Sequence, residues 1–331
     1  MEKENRFSKS AEDLHRDLLI IDGHCDTILE IIRGKRKLGQ LNNEGHIDLV
    51  RLKAGGVKVQ FFAAFIETVF KPCHSLTRAL QLIDAFFTEM ADYGDVIVPG
   101  FGMKQIRRDM KEGKVIAVLG IEGGEALNGD LAVLRMFNRL GVRSIGLTWN
   151  KRNNIADGVG ESVTRGGLTE FGRQVICEMN RLGMIIDLAH ISEPGFWDAL
   201  ELSNKPVMVS HANCAALCGH PRNLSDSQIK ALTQKGGVLG VSFVPEFLGR
   251  GRSGLEEFLN HVDHIAALVG TEVIALGSDF DGIDVTASGL EDCRCYPSIT
   301  AKLLERGYTE KEIRNIMGEN FFRLMEKVMV N

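Results

Sequence analysis

The ten residues VIAVLGIEGG, Val115–Gly124, decide the fold. The first seven are apolar or glycine, with no alternation between oily and polar side chains. A strand with one wet face alternates, whereas a short run apolar at every position is the pattern of a strand covered on both faces in a parallel sheet. A carboxylate, Glu122, then follows at once in a glycine-rich turn.

The same pattern recurs on both sides of this stretch. LLIID (18–22), VKVQFFAAF (57–65), VRSIGLT (142–148), MIIDLA (184–189), PVMVS (206–210), GVLGVSF (237–243) and VIALGS (273–278) are short and rich in Val, Ile and Leu. Helical periodicity fills most of the gaps, over Ser75–Asp92, Asp130–Leu140, Leu168–Leu182, Pro194–Leu202, Ser225–Gln234 and Gly254–Val269. Ser225 with Gln228, and Thr309 with Glu312, have the spacing of capping boxes. Gly183, Gly236 and Gly270 follow helical stretches, where a left-handed residue is wanted. Eight strands with intervening helices predict an α/β fold, a (β/α)8 TIM barrel. The alternative is an open doubly wound sheet, but no GxGxxG follows the first strand. With no internal repeat, low-complexity tract or long linker, residues 1–331 read as one catalytic barrel domain.

Composition narrows the function. The chain has 331 residues, a formal charge of -5, 44% hydrophobic and 25% charged residues. That is a soluble globular balance with no basic footprint for nucleic acid. The N-terminal MEKENRFSKSAEDLHRDLL lacks an apolar signal core, Leu18–Ile21 is too short to span a bilayer, and LMEKVMVN lacks a lipid-anchor tail. The expectation is a cytoplasmic enzyme with no membrane contact. Seven scattered cysteines fit free thiols in a reducing compartment; the close pairs Cys214/Cys218 and Cys293/Cys295 match no zinc ribbon and read as structural.

In such barrels the active site lies beyond the C-terminal ends of the strands. There the first strand offers His24 and Asp26, the third Glu122, the fourth Trp149 and Asn150, the fifth His190, the sixth His211, and the eighth Asp279 and Asp281. The second and seventh offer no metal ligand. Singly, each has an ordinary explanation as a loop residue, a helix cap or solvated charge. Together, carboxylates and imidazoles leave five strands at one end of a barrel, and the carboxylates would repel one another in a dry cavity unless a cation joined them. Imidazole with carboxylate suits Zn²⁺. The ligand count suggests two ions, with His24 and Asp26 on one, His190 and His211 on the other, and Glu122 bridging. Such a pair makes a nucleophile of a shared water at neutral pH, leaving Asp279 to move its proton. His15, His46, His74, His261 and His264 lie away from the strand ends; His261 and His264 read as surface residues of an outer helix, and His220 is undecided.

These residues resemble the membrane dipeptidase (renal dipeptidase) family of zinc peptidases, an amidohydrolase-type barrel. The resemblance rests on IDGHCDT, HIDLVRLKAGGVKVQFFAAF, GIEGG, IDLAHIS, VSHANC with PRNLSD, and GSDFDG followed by GLED, spanning about residues 20–325. It implies a metallo-dependent hydrolase with two zinc ions per chain, acting on dipeptides that include those with a C-terminal D-residue; homodimers occur in the family. By position it implies His24 and Asp26 on the first zinc, Glu122 bridging, His190 and His211 on the second, Asp279 as the acid beside the water, and Arg222 as the anchor of the substrate carboxylate. A guanidinium fork suits that last task. Trp149 departs from the pattern, standing where well-studied animal members carry a substrate-contacting histidine; Asn150 beside it or the metal itself is the candidate substitute, the alternative being a different substrate preference. Two rival readings are a lactonase, deaminase or phosphotriesterase of the same barrel type, and a non-catalytic metal-binding barrel. The former usually begin HxH, not the HxD found here; the latter would not need Asp279 or Arg222.

Overall fold

A computed structural model describes residues 10–161, 163–249, 251 and 253–329. The first nine residues of the charged N-terminal stretch and the last two of the expected 1–331 span lie outside them. Nine parallel strands are present among the described residues: β1 Ile20–Asp22, β2 Val57–Phe65, β3 Ile97–Pro99, β4 Val115–Glu122, β5 Ser144–Gly146, β6 Ile185–Asp187, β7 Met208–Ala212, β8 Val238–Val241 and β9 Ile274–Leu276. Eight close into a barrel in the order β1-β2-β4-β5-β6-β7-β8-β9, with β9 pairing back to β1 through Asp22 and Leu276. The TIM barrel expectation is met, and the open sheet is excluded.

The ninth strand, β3, was not anticipated. It pairs with Val115–Ala117 of β4, on the edge that β5 occupies higher up at Gly120–Glu122. Three residues ending in proline are too few to carry a periodic signal. The helical stretches fall close to their expected bounds; Ser75–Asp92 coincides, and Leu255–Val269 differs by one residue. Both capping boxes form, and Gly183, Gly236 and Gly270 all take positive φ. Helices Met103–Lys111, Tyr296–Glu305 and Asn320–Val328 are additional.

Strand alternation explains which side chains reach the barrel axis. On β4, Ile116 and Val118 point inward and pack with Ile185, Met208, Val238 and Phe321, while Ala117, Leu119 and Ile121 pack outward under the helices. Continuing the inward parity past Gly120 brings Glu122 to the top of the interior. At the opposite end Phe321, Leu324 and Met325 of the C-terminal helix pack against the interior side chains of the strands. Below the C-terminal mouth the strands approach very closely: a Cβ at Gly240 or Gly277 would lie 2.0 Å from the Ser210 carbonyl oxygen. Among the described residues no helix is long and apolar enough to cross a membrane.

Candidate metal centre

The six strand-end groups converge. Donor atoms within 4.8 Å of one another form three sets: His24, Asp26 and Glu122; Glu122, His190 and His211; His24, His211 and Asp279. Glu122 faces both ways. Its Oε2 lies 3.5 Å from His24 Nε2, and its Oε1 lies 2.8 Å from His190 Nε2 and 3.8 Å from His211 Nε2. His24 Nε2 is also 3.4 Å from Asp26 Oδ2 and 3.9 Å from Asp279 Oδ1. His190 Nε2 and His211 Nε2 face each other at 2.9 Å.

All of these groups except Asp279 are at least nine-tenths buried. Burial is costly for charge, and the cluster carries the marks of that cost. Burial pushes the Asp26 carboxyl up to about 7, with the charge of Glu122 adding to it. Burial pushes Asp279 up to about 6, with His24 opposing and Glu122 adding. His190 is pushed down to about 3 by burial and then by the cation of Arg222, so it is a neutral imidazole with a lone pair to give. Burial would lower His24 too, but Glu122 and Asp26 outweigh it and hold His24 well above the ordinary imidazole range. Among protein groups alone, the carboxylates thus draw in a positive charge.

These features fit a cation. His24 Nε2 and Asp26 Oδ1 are buried without a hydrogen-bond partner, although buried polar atoms rarely stay unpaired. Both belong to residues whose donors converge with Glu122. Imidazole and carboxylate donors in this mixture suit Zn²⁺ and its neighbours.

The backbone is strained where the geometry is most exacting. His190 has φ 66° and Asp279 φ 65°, in the left-handed region that only a few per cent of non-glycine residues adopt, aspartate with less strain than most. Such positions cost about 1–3 kcal/mol each and persist only when their surroundings demand them. Asp281 has φ 65° as well but serves another end. Its carboxylate accepts from His46 N at 2.8 Å and Thr27 Oγ1 at 2.7 Å and pairs with Arg36 at 2.9 Å, so it locks the loops beside the site.

A cavity of about 690 Å³ opens over the cluster. Trp149, Asn150, His220 and Arg222 line it with Asp26, Glu122, His190, His211 and Asp279. Arg222 is buried, and burial lowers its pKa to about 10. Its Nη2 donates to the His211 carbonyl at 2.9 Å, its guanidinium lies 5.4 Å from the Phe247 ring centre, and its Nε has no partner. His220, undecided from sequence, accepts from Arg222 N at 3.2 Å and packs on Phe247. Asn150 spends its side-chain oxygen on His190 Nδ1, at 2.7 Å.

Sequence reasoning missed several groups. Phe65, the last residue of β2, lines the cavity against Trp149 at 5.3 Å, and Lys71 Nζ sits 5.0 Å over the Trp149 ring while pairing with Glu125. A search restricted to metal ligands passes over such a wall. His261 is a correction: it is fully buried, not at the surface, because it lies on the apolar side of its helix with Phe258 and Ile265 and bridges Cys214 N and Leu248 O. His264 is half-buried against Asp226. His15 is buried too, bonded to Thr300.

Comparison with known proteins agrees with this geometry. The family described as membrane dipeptidase (Peptidase family M19) matches residues 8–331. Dipeptidase verJ of Clonostachys rogersoniana is 33% identical over 98% of this chain and 88% of its own. An uncharacterized dipeptidase of Schizosaccharomyces pombe is 34% identical over 98% of this chain and 84% of its own. Among solved structures, a metallo peptidase from Rhodobacter sphaeroides, liganded with a phosphinate mimic of the dipeptide L-Ala-D-Ala, superimposes with a TM-score of 0.87 at 29% identity, covering 94% of this chain and 100% of that one. The metallo peptidase dipeptidase AC gives a TM-score of 0.87 at 30% identity, covering 95% and 99%.

Proposed function

The chain belongs to the membrane dipeptidase family, Peptidase family M19, and from that premise we propose that it is a zinc dipeptidase with two ions per chain, acting as one catalytic unit on dipeptides that include those with a C-terminal D-residue. The observation that carries the reading is the two-sided placement of Glu122, with one oxygen toward His24 and the other toward His190 and His211. His24 and Asp26 would hold one ion, His190 and His211 the other, and Glu122 would serve both. Bound there, divalent ions supply Lewis acidity and a water acidic enough to attack a peptide carbonyl at neutral pH.

The chain's own residues supply the rest. Asp279, at the mouth of the cluster with Oδ1 3.9 Å from His24 Nε2, takes a proton from the attacking water and hands it to the departing amine. Arg222 receives the free carboxylate of the dipeptide, which satisfies a buried cation whose Nε is otherwise unpaired. Trp149 and Phe65 form an apolar wall that excludes water from one side of the cavity.

The test is a panel of dipeptides with L- or D-residues at the C-terminus, run beside metal analysis of the purified protein. Hydrolysis of the D-series with about two zinc per chain is expected, as two-ion chemistry requires. Metal-loaded protein that cleaves esters or lactones but no dipeptide would overturn the reading. Arg222→Met should raise KM for free dipeptides about 10- to 100-fold, the worth of a charged hydrogen-bonded contact. Dipeptide amides, lacking the carboxylate, should be poor substrates of both proteins by a similar margin. An unchanged KM in the variant would remove Arg222 from substrate binding.

A further inference from the structure

Beneath His211 lies a pair of polar groups that the scheme above does not use. Asp187, the last residue of β6, is buried, and its Oδ1 accepts two backbone protons, from Ala189 N at 3.0 Å and Ser210 N at 2.9 Å. Its Oδ2 accepts the hydroxyl of Ser210 at 2.6 Å. Ser210, fully buried on β7, is also 2.8 Å from His211 Nδ1. A serine hydroxyl has one proton to give. Burial raises the Asp187 carboxyl, but the two amides and the serine hydroxyl favour its ionised form; as a carboxylate it can only accept, so the serine proton goes to Asp187. The serine oxygen then faces His211 Nδ1 with a lone pair, and that nitrogen must be the protonated one. Nε2 is left bare, aimed at Glu122 and His190. Strand parity puts Asp187 and Ser210 on the axis side, as it does Glu122, and the Ser210 carbonyl lies so close to Gly240 and Gly277 that a Cβ at either would collide with it.

Resting on the metal-centre reading, we propose that Asp187 and Ser210 are positioning residues: a carboxylate–hydroxyl relay that fixes His211 in the Nδ1-protonated tautomer and so presets its Nε2 as a metal ligand. Groups that orient ligating imidazoles in this way typically carry 10- to 100-fold in metal affinity. Asn150 does the corresponding service for His190, its side-chain oxygen taking the Nδ1 proton. With both imidazoles in that tautomer their Nε2 lone pairs face each other at 2.9 Å, an arrangement that a cation between or beside them would relieve.

The discriminating variant is Asp187→Asn. Its oxygen can keep the two backbone amides, but its NH₂ would donate to Ser210. The serine proton would then turn to His211 Nδ1 and drive the imidazole proton onto Nε2, blocking the metal face without changing the shape of the site. Co²⁺ and Zn²⁺ titrations against a chromophoric chelator, with the Co²⁺ visible spectrum, should show one of two sites weakened about 10- to 100-fold and the other retained. Ser210→Ala removes the acceptor for Nδ1 and should weaken the same site; it decides the matter if Asp187→Asn fails to fold, as judged by circular dichroism. Ser210→Cys and Ser210→Thr, which keep a side-chain acceptor, should recover part of the affinity. Two sites of unchanged affinity in Asp187→Asn and Ser210→Ala would overturn the relay while leaving the dipeptidase reading intact. A wild-type chain that binds neither Co²⁺ nor Zn²⁺ would instead overturn the metal-centre reading on which the relay stands.

Discussion

Treatment with a strong chelator should take dipeptide hydrolysis to background, and added Zn²⁺ should restore it. The expectation rests on the electrostatics of the buried cluster. Asp26 and Asp279 have raised carboxyls beside the charge of Glu122, and a divalent ion among the three would relieve that repulsion. Removing it should show in stability as well as in activity. An ion present at a hundredfold excess over its Kd stabilises the folded chain by about 2.7 kcal/mol, and that contribution disappears on chelation. The chelated protein should also acquire a pH dependence, falling with rising pH above about 6.5. In the folded chain the carboxyls of Asp26 and Asp279 lie at about 7 and about 6, against an ordinary value of 3.8. At these two groups the folded state binds more protons than the unfolded one between those limits, which lowers stability as pH rises from about 4 to about 7; His190, at about 3 against an ordinary 6.5, acts in the opposite sense up to 6.5, and above that Asp26 and the raised imidazole of His24 leave a net fall. Zinc should flatten that slope. Thermal melts of chelated and zinc-loaded protein across this range check both statements; full activity after complete metal removal would refute the proposed chemistry.

The second large effect is expected from Asp279→Asn. The side chain keeps its size, and asparagine tolerates the left-handed backbone that Asp279 adopts at φ 65°. The backbone bonds from Asp279 N to His24 O and from Gly282 N to Asp279 O do not involve the side chain and should hold the turn. What is lost is the ability to take and return a proton. Loss of a general acid–base group typically costs about 10²- to 10⁴-fold, and it should fall on kcat with metal content unchanged. Asp281→Asn is the informative contrast. Its carboxylate serves His46, Thr27 and Arg36, so the substitution should appear as a lowered melting temperature before it appears in kcat. Full turnover by Asp279→Asn would remove its assigned role.

The sequence carried the barrel because the strands of a parallel sheet are apolar on both faces, and eight runs such as VIAVLGI alternate with helical periodicity along the chain. It also carried the cluster, since a histidine or carboxylate directly after such a run has few ways to avoid the barrel mouth. Other features were not legible for identifiable reasons. β3 is too short for periodicity to register. Asp187 and Ser210 lie within strands, where a polar residue reads as noise in an apolar run until its partners on the neighbouring strand are known. His261 was misplaced because two histidines three residues apart on a helix read as a wet face; their helix turns one of them onto the backbone of the Cys214 and Leu248 loops. Phe65 is an ordinary strand residue until the position of Trp149 makes it half of a wall.

The left-handed turn at His190 has a consequence for how such a protein can be improved. Glycine adopts that backbone without steric penalty, so replacement of His190 by glycine relieves local conformational energy while discarding an imidazole. In metal-free protein, where no bound ion rewards the imidazole, a selection for thermal endurance alone would therefore drift toward an inert barrel at this position. Screens that seek a hardier enzyme must hold hydrolysis as a second criterion there, because the native residue marks a place where durability has been surrendered to chemistry.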